Sequence, residues 1–241
     1  MSGFLISFDG LDSSGKNTQT QALIARLRKA GRRVATFTTP DYTTPSGQEL
    51  RARLQGKVGD WATTPWQEKM RLFAKNRAEH RQEVVDALSV GAIVLYDRYV
   101  PSSLAFIAVE AALQDPTVTR EQVYGAVRQA EYGDNQMPPE DCSIFLDVPP
   151  ARALALLAGR KEAQQAADEY TDQLHVQEKL YEEYEYLTAL DPERYLRIVC
   201  LEGEQLLPPE VIADRVWAEV TKRFPSLKTS SNSPLSGGAL R

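Results

Sequence analysis

The stretch Phe4-Leu-Ile-Ser-Phe-Asp-Gly-Leu-Asp-Ser-Ser-Gly-Lys-Asn-Thr18 decides how the chain is read. An apolar, strand-like run ends at Gly10, four residues intervene, and Gly15-Lys16 opens a helical pattern. This is the order of a phosphate-binding P-loop: strand, glycine-rich turn, helix. Backbone N–H groups in such a turn curl around phosphate oxygens, the helix N-terminus adds its positive dipole end, and Lys16 supplies a point charge. The loop residues Gly10, Leu11, Asp12, Ser13, Ser14, Gly15, Lys16, Asn17 and Thr18 are therefore the expected ATP-binding segment. Asn17 departs from the motif, standing where Ser or Thr offers a hydroxyl to magnesium. Three readings are open: Thr18 or Asp12 serves the metal, the Asn17 amide does, or nucleotide binds without good turnover.

Outward from the loop, alternation of short apolar runs with helical patterns continues. Val34–Thr38, Ala92–Tyr96, Ser143–Val148 and Leu196–Leu201 read as further strands, giving five in all. Runs apolar on both faces, separated by helices, imply a parallel sheet flanked by helices on both faces, an α/β P-loop kinase fold. Helices are expected from about Gly47 to Leu54, then over 65–90, opened by Thr64-Pro-Trp-Gln67 and closed by Gly91. Others follow at Ser102–Gln114, Thr119–Tyr132, from Pro150, over about 169–190, and Pro209–Phe224. Residues 1–225 read as one domain, with a polar lid segment at about 159–169. The Ser/Gly-rich tail 226–241 has the composition of a disordered segment.

The bulk properties exclude several partners. A net charge of −5 argues against a nucleic-acid coat or an anionic membrane surface. No apolar run approaches the ~20 residues of a membrane span. Cys142 and Cys200 lack metal-ligand spacing and read as half-buried thiols of a reducing compartment, so the cytoplasm is expected.

In parallel sheets of this kind, ligands bind beyond the carboxyl ends of the strands. Asp97-Arg98 ends one strand at the same edge as the P-loop. The aspartate suits a magnesium shell or an acceptor oxygen, and the arginine fork suits bidentate phosphate binding. Phe73 and Arg77 lie four apart on one helix, so they share a face. They read as a stacking ring with a guanidinium for a base, or as a core Phe beside a surface Arg. Arg160 and Lys161 sit in the lid segment, where mobile positive charge would reach a transferring phosphoryl group. His80 and His175 read as solvated, and Glu182-Glu183-Tyr184-Glu185 as a solvated helix face.

These segments together resemble the thymidylate kinases, a P-loop nucleoside monophosphate kinase family. The resemblance is carried by Phe8–Gln19, Leu72-Phe-Ala-Lys-Asn-Arg-Ala-Glu79, Asp97-Arg-Tyr-Val-Pro-Ser-Ser-Leu-Ala-Phe106 and Pro139-Glu-Asp-Cys-Ser-Ile-Phe-Leu-Asp-Val148. It implies a homodimeric kinase that transfers the γ-phosphoryl of ATP to dTMP with Mg2+. Catalytic roles would fall to Lys16, Asp97, Arg98 and Arg160, and metal binding to Asp12 and Thr18. Phe73 would stack on thymine, Arg77 would meet its carbonyl edge, Arg98 would hold the acceptor phosphate, Ser103 would lie by the base, and Phe106 would fill the place of a ribose 2′-OH. Asp41, where many members carry an arginine or a glycine pair, weighs against tight acceptor-phosphate binding. Another acceptor such as dUMP, or a weakly active regulatory protein, are the alternatives.

Overall fold

Apolar runs that cannot be hydrated on either face form the centre of the molecule. They are β1 (Phe4–Asp9), β2 (Val34–Thr38), β3 (Ile93–Asp97), β4 (Cys142–Asp147) and β5 (Tyr195–Val199). In the computed structural model, which describes residues 3–161 and 174–228, these strands form one parallel sheet in the order β2-β3-β1-β4-β5. The five-stranded parallel sheet expected from the sequence is observed.

Register then positions the site. Phe8 pairs with Asp97 across β1 and β3, Thr38 pairs with Asp97 across β2 and β3, and Asp9 pairs with Phe145 across β1 and β4. The P-loop and Asp97-Arg98 therefore leave the sheet side by side. Two bonds extend the ladder past the strand ends: Arg98 N donates to Phe8 O at 2.9 Å, and Thr39 N to Asp97 O at 3.0 Å.

The helices are α1 (Lys16–Lys29), α2 (Pro45–Leu54), α3 (Trp66–Ala78), α4 (Arg81–Ser89), α5 (Val100–Gln114), α6 (Arg120–Arg128), α7 (Pro150–Lys161), α8 (Leu174–Leu190) and α9 (Pro209–Arg223). α1 packs against α9, and α5 against α3, α6 and α8. The main core joins Leu5, Ile6 and Phe8 of the central strand to Leu23 and Leu27 of α1, Leu104 and Ile107 of α5, and Val216 and Val220 of α9. A smaller cluster of Leu50, Trp61 and Leu72 lies beneath Phe73 and Phe106.

Several elements differ from expectation, each for a tertiary reason. The single helix over 65–90 is two, α3 and α4, broken at Glu79-His80, where His80 has φ −96° and ψ 0°. Both residues are held by the preceding loop: Glu79 accepts from Ser46 N and Oγ, at 3.2 and 2.8 Å, and His80 Nε2 lies 2.9 Å from Asp41 Oδ2. Thr64 does not cap α3; its hydroxyl donates to Asp60 O at 2.9 Å, and Trp66 N finds Gln114 Oε1 at 2.9 Å instead. The helix expected to reach Tyr132 keeps its Thr119/Gln122 capping box but widens after Arg128 into a π-helical turn, Gln129–Asp134. A two-residue hairpin, β6 (Leu201–Glu202) and β7 (Gln205–Leu206), follows β5 and was not foreseen, since strands this short carry no periodicity.

The acidic run on α8 is not a solvated face throughout. Glu183 is buried, accepting a guanidinium fork from Arg120 and the Tyr124 hydroxyl at 2.8 Å, and Tyr184 is buried too. His80 is not solvated either, and both cysteines are fully buried rather than half-buried. Most of the expected lid and nearly all of the expected tail lie outside the described residues.

Candidate active site

Gly15 begins α1 with φ 93°, a left-handed conformation in which other residues are strained, and Ser13 accepts the same region at φ 61°. The resulting turn is the concave backbone shape that binds anions. Lys16 bends back over it, Nζ donating to Leu11 O at 2.6 Å and Gly10 O at 3.1 Å. Burial, then the neighbouring Arg98 charge, pull its ammonium down to about 7. The open cleft in front is lined by Asp12, Lys16, Asn17, Thr18, Asp97 and Arg98 among others. Asn17 and Thr18 are both exposed on the first turn of α1. Asp97, the last residue of β3, lines the same cleft beside Arg98.

Arg98 is the hinge between the cleft and a deeper cavity. Its backbone is left-handed, φ 66°, which a non-glycine residue holds only where its surroundings enforce it. Here the enforcing group is Asp9. One Asp9 oxygen accepts from Tyr99 N and Ser102 N, both at 3.1 Å, and from Ser102 Oγ at 2.5 Å. The other accepts from Ser7 Oγ at 2.5 Å and Ser143 Oγ at 2.8 Å, which explains two serines inside a buried sheet. A carboxylate of β1 thus caps α5 from outside the helix, using its orphan N–H groups and dipole. The guanidinium of Arg98 is aimed in turn by Gly10 O at 3.0 Å and by an ion pair with Asp12.

The deeper cavity, about 190 Å3, runs from Gly10, Asp12 and Arg98 to Leu54 and Trp61. Phe73, Arg77, Ser103 and Phe106 all line it, so the structure brings these four predicted residues together. Phe73 is gripped edge-on from both sides, by Phe106 with centroids 5.5 Å apart and by Trp61 at 6.2 Å. Arg77 is a buried residue, not a surface one, at 1% exposure. Its Nη2 donates to Ser103 Oγ at 3.0 Å and Tyr99 O at 3.3 Å, while Nη1 pairs with Glu131. Its Nε is buried without a partner. Burial pushes the Glu131 carboxyl up, against the pull of Arg77.

Asp41 does not enter either cavity. Its Oδ1 accepts from Thr43 N at 2.9 Å and Thr43 Oγ1 at 2.6 Å, and Oδ2 faces His80. The Thr43 bonds, with His80, hold its carboxyl below the usual carboxylate range. Asn76 fixes the same loop, its side chain bonding Asp41 N and O, Thr44 Oγ1 and Ser46 Oγ at 2.8–3.1 Å. Close approach completes the packing: a Cβ on Gly47 would stand 1.7 Å from Asp41 O.

Sequence reasoning missed Asp9, Trp61, Glu131 and Tyr184. Nothing in local spacing marks the first three; Tyr184 sat in a run read as solvated, yet its hydroxyl is 3.1 Å from Ser102 Oγ. Arg160 lies in the last turn of α7, and its side chain is outside the described residues.

A P-loop sharing a cleft with an aromatic cavity, joined through Arg98, is the arrangement of a kinase for a nucleotide acceptor, and residues 8–207 match the family model described as thymidylate kinase. The chain belongs to the thymidylate kinase family. Its activity is the family's, phosphoryl transfer to dTMP giving dTDP. It is 37% identical over 222 residues to the thymidylate kinase of Thermomicrobium roseum, covering 91% of this chain and 95% of that one. Against the thymidylate kinase of Geobacter sulfurreducens it is 32% identical over 225 residues, covering 92% and 100%. The solved structure of thymidylate kinase from Candida albicans shares the fold, with a TM-score of 0.68 at 24% identity and 94% of each chain covered. Among the described residues no helix is long and apolar enough to cross a membrane.

Proposed function

We propose that the P-loop cleft holds the ATP phosphates, the aromatic cavity holds dTMP, and transfer takes place where the two meet. The observation that carries this is the shared wall: Asp12 and Arg98, with Thr39, Pro40 and Tyr42, line both spaces. A donor in one and an acceptor in the other would face each other across these residues, and no covalent intermediate with the protein is required.

In this reading the P-loop N–H groups and Lys16 hold the donor phosphates. Arg98, oriented by Asp12 and Gly10, bridges donor and acceptor charge. Phe73 stacks on the thymine ring, Arg77 and Ser103 face its carbonyl edge, and Phe106 fills the space a ribose 2′-OH would take. Arg160 brings positive charge from the lid. The cleft lining suits magnesium, which would be held by substrate phosphates, water and one or two carboxylates. Asp97 and Asp12 supply those carboxylates, with Thr18 nearby on α1. Bound there, magnesium neutralises charge on the transferring phosphates. A homodimer and a cytoplasmic location belong to the same proposal, the latter supported by two buried free thiols.

The test is an acceptor panel of dTMP, dUMP, dCMP and thymidine with ATP and magnesium, read as nucleoside diphosphate or monophosphate formed. dTDP is expected to form fastest. Equal rates with dCMP, or tight ATP binding without any transfer, would overturn the assignment of the cavity.

A further inference from the structure

We infer that Glu131, carried on the π-helical turn after α6, is a positioning residue that sets acceptor-base selectivity through Arg77. Two observations converge on it. Arg77 and Glu131 are each only 1% exposed and form an ion pair between α3 and this turn, 54 residues apart in the chain. Arg77 lines the acceptor cavity, whereas Glu131 stands behind it and does not.

A guanidinium is planar and offers only donors, so its orientation decides which hydrogens a ligand meets. Here Glu131 takes Nη1, and Ser103 Oγ and Tyr99 O take Nη2. Those three acceptors come from the π-helical turn and from the start of α5, and together they fix the plane of the fork. Nε is buried without a partner, so the hydrogen these acceptors leave for a ligand in the cavity is the second one on Nη1, the nitrogen that Glu131 orients. A donor held this way accepts a ring that presents a carbonyl and rejects one that presents an amino group, because the latter leaves buried hydrogens facing each other. The π-helical turn is the backbone device that makes this reach, since π-turns cluster at functional sites and a regular helix would rotate residue 131 away from its present direction.

This rests on the reading that Arg77 faces the base, and the experiment separates the two. KM for dTMP, KM for ATP and the dTMP-to-dCMP ratio of kcat/KM are measured for Glu131→Gln, Arg77→Gln and the double variant, with melting temperatures for each. Glu131→Gln is expected to raise KM for dTMP about tenfold and lower the dTMP-to-dCMP ratio by about the same factor, the size of a charged hydrogen bond misplaced. KM for ATP should stay unchanged. Against the Arg77→Gln background, the same Glu131 substitution should have no further effect on KM for dTMP, as expected of a residue acting through Arg77. If Glu131→Gln does not fold, Glu131→Asp keeps the charge but withdraws it by one methylene, and the same KM split is expected. An unchanged KM for dTMP in the Glu131 variants, while Arg77→Gln raises it, overturns this inference alone. Additive effects in the double variant overturn it as well. An unchanged KM in Arg77→Gln overturns the base-facing reading and the inference together.

Discussion

At the phosphate end, the P-loop itself is made of backbone and of residues adjacent in the chain; at the base end, the site is assembled from side chains brought together by partners up to 54 residues apart. The P-loop needs only glycine geometry, one helix start and Lys16. The base cavity needs Phe73 gripped by Trp61 and Phe106, and Arg77 gripped by Glu131, Ser103 and Tyr99. The contrast teaches that grip on phosphate is generic and locally encoded, while choice of base depends on tertiary aim.

That contrast can be broken in order of expected effect. Lys16→Ala should lower kcat by at least ~100-fold, the scale of removing one preorganised charge donor from a transfer site. Its melting temperature should hold, because replacing a buried ammonium with a methyl removes a desolvation cost along with two hydrogen bonds. A coupled ADP assay alongside thermal denaturation checks both. Near-normal turnover would show that the local motif does not carry the chemistry.

Phe73→Ala should raise KM for dTMP about 10- to 100-fold, as loss of base–aromatic stacking implies, with KM for ATP nearly unchanged. Steady-state kinetics with each substrate varied would reveal this split. Equal loss for both substrates would mean the two ends are not separable.

The smallest effect sharpens the phosphate end. With Lys16 at about 7 in the folded protein, binding an anionic nucleotide should draw about half a proton onto it at pH 7. Calorimetry of ADP binding in buffers of different ionisation enthalpy measures that uptake, and Lys16→Met should abolish it. The sign for stability runs the same way. The folded state binds fewer protons than the unfolded one between pH 7 and 10.5, so this group makes stability rise with pH across that window, while below it the cost is constant.

The difference between the ends also explains what could be read from the chain. The five parallel strands and the placing of Asp97-Arg98 beside the P-loop were legible because apolar runs and loop residues are local signals; the order of the strands in the sheet was not read from the sequence. Asp9 was not, since its donors sit on β1, β4 and α5 and only register unites them. Nor was Glu131: an acid on a helical pattern looks solvated until a buried arginine faces it. Asp41 misled in the other direction. A charge suspected of repelling phosphate is spent on Thr43 and His80, and that same spending broke the helix expected over 65–90.

Asp9 has a consequence for precision. It is the residue immediately before Gly10, and its carboxylate seats the start of α5, whose next turn carries Ser103 and Phe106. Phosphate loop and acceptor wall are therefore both measured from one datum rather than through a chain of intermediate joints. Positional errors between the two substrates do not accumulate across the sheet, and an in-line reaction sensitive to fractions of an ångström inherits the tolerance of a single buried carboxylate.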